Sequence, residues 1–404
     1  MARQRSTVGG ERIEKEHFIM PEGVVYLDGN SLGPMPKSVP ERVAGVMTEE
    51  WAQMLIRGWN KAGWMSMPSE VGNAVGRLIG AAEGTVVMGD TLSVKVYQAL
   101  AAGLKMRPDR KVILSDNGNF PSDLYIAEGL VGLLEQGYEL RTVDPEDVAE
   151  AIGEDVAVVM LTEVDYRTGR KHDMKTVTEL AHAAGAVMVW DLAHSAGAIP
   201  VDLAGSNCEF AVGCTYKYLN GGPGAPAFIY IRPDLADEAE PALSGWLGHA
   251  SPFDFDLNYK PAKGIERMRV GTPPVLQMAA LEEAMKVWDG VDMTDVRQAS
   301  VALQEQFIKE VERDVPELTL ASPRDASIRG SQVSFRFEHG YAAMQALIDR
   351  GVIGDFRAPD IMRFGFTPLY LDGANVTAAV AVMKDVMGNN LWDNEAYKVK
   401  SRVT

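Results

Sequence analysis

Between about residues 75 and 290, short apolar runs alternate with stretches in which apolar side chains return at helical spacing. Lys111-Val-Ile-Leu114, Val156-Ala-Val-Val-Met-Leu161, Ala186-Val-Met-Val-Trp190, Phe210-Ala-Val-Gly213 and Ala227-Phe-Ile-Tyr-Ile-Arg232 read as strands. Between two of them, Asp173 to Gly185 combines helical periodicity with an acidic start and a glycine stop, the marks of a crossover helix. Such alternation predicts an α/β fold with a mostly parallel, doubly wound sheet. From about residue 291 the pattern changes to a long helix, a strand Gln332-Val-Ser-Phe-Arg-Phe337, a helix over 342–350, a strand near Arg363 and a helix over 376–387. That is a smaller α+β unit, so the expected division is an N-terminal segment (1–74), a large domain (75–290) and a small domain (291–404).

Chemistry gathers where the strands of the large domain end. Cys214-Thr-Tyr-Lys-Tyr-Leu-Asn-Gly-Gly-Pro-Gly-Ala-Pro226 places Lys217 between two tyrosines, after one apolar run and before a glycine-rich turn. A lysine in a cleft, partly desolvated by apolar neighbours, is suited to forming a Schiff base with a carbonyl. The same segment also reads as a surface lysine beside a turn. Upstream, the run ending at Trp190 is followed by Asp191-Leu-Ala-His194. In open α/β sheets ligands bind at the carboxyl ends of strands, so Asp191 and His194 are expected to share a cleft with Lys217. Pyridoxal phosphate requires such a set: a lysine for its aldehyde and a carboxylate that keeps its pyridine nitrogen protonated. Read blandly, Asp191 is a helix cap and His194 a core residue.

A phosphate needs its own cradle. Val86-Val-Met-Gly-Asp-Thr-Leu-Ser-Val-Lys-Val-Tyr-Gln-Ala-Leu100 runs from an apolar stretch through capping residues into a helical pattern, with Leu92 and Ser93 at the helix start. Free N–H groups and the helix dipole bind phosphate there, although an ordinary cap has the same sequence.

Taken in order, Tyr26-Leu-Asp-Gly-Asn-Ser-Leu-Gly-Pro34, Asn119-Phe-Pro-Ser-Asp123, Asp191-Leu-Ala-His194, Tyr216-Lys217, Gly245-Trp-Leu-Gly-His249, Arg269-Val-Gly-Thr-Pro-Pro274 and Met362-Arg-Phe-Gly-Phe-Thr-Pro-Leu-Tyr370 resemble the kynureninases. These are pyridoxal-phosphate enzymes of fold type I, the aspartate aminotransferase superfamily. The resemblance implies a seven-stranded-type large-domain sheet, a small domain built from both chain ends, and a homodimer with active sites at the subunit interface. It implies that Lys217 is the Schiff-base lysine, Asp191 the partner of the pyridine nitrogen and His194 a neighbour of the ring oxygen. Phe120 would stack on the ring, Asp123 and Thr162 line the pocket, and Leu92 and Ser93 bind the phosphate. Tyr216 and Trp246 would reach the phosphate and substrate region, and Thr272 stands at a cofactor contact that is often Asn. Arg363 matches the arginine for the substrate's α-carboxylate, a task that suits a planar guanidinium. The first motif adds Asn30 as a substrate-binding candidate.

The implied reaction is hydrolysis of L-kynurenine, or its 3-hydroxy form, to anthranilate, or 3-hydroxyanthranilate, and L-alanine. Tyr216 is the candidate acid and base for the later proton transfers, its phenol brought toward neutrality by nearby charge. Trp64, Trp246 and Phe364 or Phe366 are candidate linings of an aryl slot, unless they are plain core. The segment from Trp51 to Trp64 is either partner-facing or an ordinary amphipathic core helix.

Composition changes this picture little. A chain of 404 residues with 46% hydrophobic content can bury a large core, and its net charge of −17 argues against nucleic acid or anionic membranes as partners. Its anionic ligands must therefore rely on local positive charge. No apolar stretch spans a membrane, and the first thirty residues hold no apolar secretion signal, so the expected location is the cytoplasm. Cys208 and Cys214 suggest buried thiols, with neither a metal site nor a disulfide. Three alternatives stand beside a kynureninase. A cysteine desulfurase or selenocysteine lyase would need a later nucleophilic cysteine, and none follows Cys214. The others are an aminotransferase and a non-catalytic pyridoxal-phosphate-binding protein.

Overall fold

A computed structural model describes residues 15–400; the first 14 residues of the predicted N-terminal segment and the last four of the chain lie outside the described residues. A short strand β1 (Val25–Tyr26) precedes the large sheet, which is built from β2 (Val86–Met88), β3 (Val112–Asp116), β4 (Glu139–Val143), β5 (Val156–Thr162), β6 (Val187–Asp191), β7 (Phe210–Gly213) and β8 (Phe228–Ile231). Their order is β2-β8-β7-β6-β5-β3-β4. Only β8 runs against the others, so the α/β, mostly parallel expectation holds.

Both faces of the sheet are covered, which is why β5 and β6 are buried throughout and read as continuous apolar runs. Side chains alternate between two cores. Val158, Met160, Val187 and Val189 face the helices Leu92–Met106 and Pro121–Leu134, while Val159, Leu161, Met188 and Trp190 face Met67–Leu78, Met174–Ala183 and Val275–Met285. Met174–Ala183 is the predicted crossover helix, capped where Asp173 accepts the Thr176 N–H at 3.0 Å.

The later part of the chain forms a second, antiparallel sheet from β9 (Thr319–Leu320), β10 (Gln332–Arg336), β12 and β13, with β11 (Val352–Ile353), β12 (Asp355–Arg357) and β13 (Ile361–Gly365) following one another closely. β1 pairs in parallel with β11 as a separate two-stranded sheet, and Gly365 N–H, at the end of β13, donates to Leu27 O at 2.7 Å, which fastens the segment after β1 to the later part of the chain. The helices Met293–Asp314 and Gly373–Gly388 pack together beside it. Among the described residues, no helix is long and apolar enough to cross a membrane.

Two expectations need correction here. Phe364 and Phe366 are fully buried against Phe307, with ring centroids 5.1 and 5.0 Å away, so they are core rather than an aryl slot. The segment from Trp51 to Trp64 is not one amphipathic helix. A π-helix (Val46–Met54) ends where Leu55 takes φ 53°, and short helical turns follow. Met47, Trp51, Leu55 and Ile56 are exposed, whereas Trp64 is buried.

Replacing Phe307 with Ala should leave a cavity among Phe335, Phe364 and Phe366 and cost about 3–5 kcal/mol of stability. The denaturant midpoint measures this, and an unchanged midpoint would contradict the packing described.

Candidate active site

Strand register sets the site. Thr162 on β5 lies opposite Asp191 on β6, and Asp191 lies opposite Val212 on β7. The carboxyl ends of three parallel strands are therefore level, and the chain leaving β7 reaches Lys217 within a few residues. Its loop is pinned by Asn220 N–H to Lys217 O (3.0 Å) and Gly221 N–H to Thr215 O (2.9 Å). The early motif lies against it: Gly33 N–H donates to Tyr216 O at 2.8 Å, and a Cβ on Gly33 would fall 2.3 Å from Lys217 O, so no larger residue fits.

Lys217 Nζ lies 2.9 Å from His194 Nε2. Burial, then the charge of Lys217, holds His194 well below its ordinary pKa, so the imidazole is neutral and accepts from the ammonium. Its proton then sits on Nδ1, which is buried and has no partner. Asp191 accepts the Ala193 N–H at 2.9 Å. Burial raises its pKa, opposed by Lys217. Asp123 is raised further, first by burial and then by the Asp191 charge, and its Oδ2 also lacks a partner. The pair therefore resists a second negative charge.

Asp123 sits in the first turn of the helix Pro121–Leu134, and its neighbour Ser122 meets Ser93 Oγ to Oγ at 3.1 Å. Two helix starts thus adjoin at this edge, and at the first of them Thr91 makes no side-chain cap over Leu92 and Ser93. Phe120 is 43% exposed, with its ring centroid 6.0 Å from Lys217 Nζ and its ring edge-on to Tyr166 at 5.1 Å. The Thr162 hydroxyl is used on Val164 O at 3.2 Å.

These residues fit pyridoxal phosphate on their own chemistry. A buried carboxylate, a lysine amine, two orphaned polar atoms on Asp123 and His194, an open aromatic face and an uncapped helix start meet at one edge.

Other candidates lie elsewhere or act differently. The expectation for Tyr216 was a phenol near neutrality; instead its acidic neighbour Cys214, burial and the two aspartates raise it, because the groups around its phenol disfavour a further negative charge. Trp64 is buried, donates its indole N–H to Glu50 at 2.7 Å and packs on Trp59. Trp246 is 40% exposed and packs on Phe253, and Thr272 is exposed. Asn30 is fully buried with both amide atoms unpartnered. Arg363 is buried, and its guanidinium already holds a carboxylate, Asp355.

Sequence reasoning missed Asp355, Arg357 and Glu163. The first two share the short run Gly354-Asp-Phe-Arg357, whose period-two charges ahead of Arg363 were the available signal. Glu163 follows Thr162 directly, at the end of a strand. It is completely buried, its N–H bonds Asp191 O at 3.0 Å, and burial lifts it to about 7 against Ser195 and Lys171.

The kynureninase C-terminal domain family matches residues 296–383. A kynureninase from Pseudomonas fluorescens is 48% identical over 397 residues, covering 96% of this chain and 95% of that protein. Among solved structures, a cysteine desulfurase from Thermococcus onnurineus NA1 superposes with a TM-score of 0.79 at 19% identity, covering 95% of this chain and all of that one. C-DES, with glycine covalently linked to its PLP cofactor, gives 0.79 at 16% identity over 92% of this chain and 99% of that one. At these identities the structural likeness concerns the fold.

The raised Glu163 carboxyl binds its proton more tightly folded than unfolded. Its contribution is therefore complete below pH 4.5 and is lost as pH rises through about 7. Glu163→Gln should remove that loss, so the variant's stability relative to wild type should be about 3 kcal/mol greater at pH 8 than at pH 4.5. Denaturation at the two pH values measures it, and parallel curves would contradict it.

Proposed function

This chain belongs to the kynureninase family, and we propose that it uses pyridoxal phosphate to hydrolyse L-kynurenine or 3-hydroxy-L-kynurenine to the corresponding anthranilate and L-alanine. The observation that carries this is the placing of Asp191, His194 and Lys217 at the level ends of neighbouring parallel strands.

When bound, pyridoxal phosphate supplies an aldehyde for an amine and a conjugated ring that accepts the electrons of a breaking bond. Asp191 holds a proton at the pyridine nitrogen, and Asp123 keeps it company as the carboxyl less willing to ionise. The N–H groups at Leu92 and Ser93 would take the phosphate, and Phe120, exposed beside Lys217, would offer the ring an aromatic face. His194, neutral, offers its free Nδ1–H to the ring's oxygen side. The Lys217 amine would take the substrate's Cα proton. Water would add to the γ-carbonyl before the Cβ–Cγ bond breaks; Tyr216, kept protonated by its surroundings, would donate the proton that Cβ needs and regain one from a hydroxyl of the hydrated carbonyl as that carbon becomes the carboxylic acid. The substrate's carboxylate is received near Arg363.

The fold likeness to cysteine desulfurases does not bring their chemistry with it. No cysteine follows Cys214, whose thiol is buried and pushed up by that burial.

A second copy of the chain is part of this proposal. Trp246, Phe253, Phe255 and Leu257 are exposed on one stretch, as are Met47, Trp51, Leu55 and Ile56 on another, which supports a homodimer in which Trp246 and Thr272 complete the partner's site. The two free, buried cysteines suit a reducing cytoplasm.

Cofactor-loaded protein given L-kynurenine should release aromatic amine and alanine in equal amounts, and Lys217→Ala should abolish both. Release of neither by wild type, or transfer of an amino group to an added keto acid, would remove the proposal. Inactive Lys217→Ala and Trp246→Ala proteins, mixed and allowed to exchange subunits, should regain activity, because one site of the mixed dimer is intact. Failure to regain it would contradict the shared site.

A further inference from the structure

Arg363 is nearly inaccessible, and its donors are largely committed. Nε donates to Asp355 Oδ1 at 2.6 Å, Nη2 to Asp355 Oδ2 and to Ser31 Oγ at 3.1 Å, and Nη1 to Tyr166 O at 2.5 Å. The face that would fork an incoming carboxylate already holds one. Asp355 is directly opposite Arg363 in the β12–β13 register, so this pairing is built into the sheet.

Arg357 stands two residues beyond Asp355 on β12, so the two side chains share a face. Its Nη2 pairs with Asp355 Oδ2 at 2.7 Å and its Nη1 donates to Phe356 O at 2.9 Å. A guanidinium has five N–H donors, so most of those on Arg357 remain unused. Its side chain is 34% exposed, against 2% for Arg363.

The local charge favours a further anion. Two guanidiniums share Asp355, which they hold ionised, Arg363 first, although burial opposes this. The other nearby carboxyl, Asp28, is pushed up to about 7 by burial and by Asp355, so near neutrality it balances the second guanidinium only in part. Both arginines also depress His194, after burial and Lys217, which puts their field on the same site as the reacting lysine.

We propose that Arg357 is a substrate-binding residue, taking the α-carboxylate of the amino-acid substrate on its free N–H groups while Asp355 holds it and Arg363 side by side. Arg363 then contributes charge and its remaining N–H, and Asp355 is a positioning residue. This inference rests on the function proposed above and assigns a second arginine to its carboxylate site.

The test compares wild type, Arg357→Gln and Arg357→Lys with L-kynurenine and with its decarboxylated amine, and measures inhibition by L-alanine. Arg357→Gln should raise KM for L-kynurenine and Ki for L-alanine about tenfold or more, with the larger part of the loss in KM. It should also shrink the wild-type preference for the carboxylated substrate, a change that misfolding alone would not produce. Arg357→Lys should recover part of the affinity. Wild-type protein that releases no aromatic amine overturns the function and this inference together. Wild-type cleavage with KM, Ki and carboxylate preference unchanged in Arg357→Gln overturns the inference alone.

Discussion

Side chains on a strand alternate between faces, so a shift of one residue between β5, β6 and β7 would exchange the two cores and carry Asp191 away from the carboxyl edge. The buried runs forbid that shift. Met188 and Trp190 belong to one core, Val187 and Val189 to the other, and each would have to leave its own packing. The same constraint that closes the two hydrophobic cores therefore fixes Asp191 level with Thr162 and Val212, and through the short loop after β7 it fixes Lys217 against His194. Packing energy, spread over many side chains, is what holds the reacting groups in place.

Charge is managed locally within a protein of net charge −17. At the lysine, two buried carboxyls act on one ammonium, and a neutral imidazole lies 2.9 Å from it. Beside it, two arginines share Asp355, with Asp28 raised close by. The arginine pair carries an uneven balance that a small anion can complete, independently of the acidic surface. The uncapped start of the helix Leu92–Met106 adds positive potential without any cationic side chain.

Much of this was legible in the sequence because buried parallel strands announce themselves. The runs ending near Met88, Leu114, Leu161, Trp190 and Gly213 are apolar on both faces, and the residues just beyond them are the site. Exposed or very short edge strands outside the buried runs do not announce themselves. β4, Glu-Leu-Arg-Thr-Val, is mostly exposed or half-exposed, and β1, β9, β11 and β12 span only two or three residues each. Arg357 and Asp355 stayed hidden with β12, since their meaning comes from a pairing with Arg363 across the sheet. Aromatic residues misled for the opposite reason: Phe364 and Phe366 fill a core, and nothing in their own sequence distinguishes a filled core from an open slot.

The central claim is that Lys217, and no other lysine, is the amine that captures the cofactor's aldehyde. Borohydride reduction of protein loaded with pyridoxal phosphate, followed by peptide mass mapping, tests it most directly. The account predicts a single reduced pyridoxyl adduct on Lys217. An adduct on the buried Lys95 or on any other lysine, with Lys217 unmodified, would contradict it.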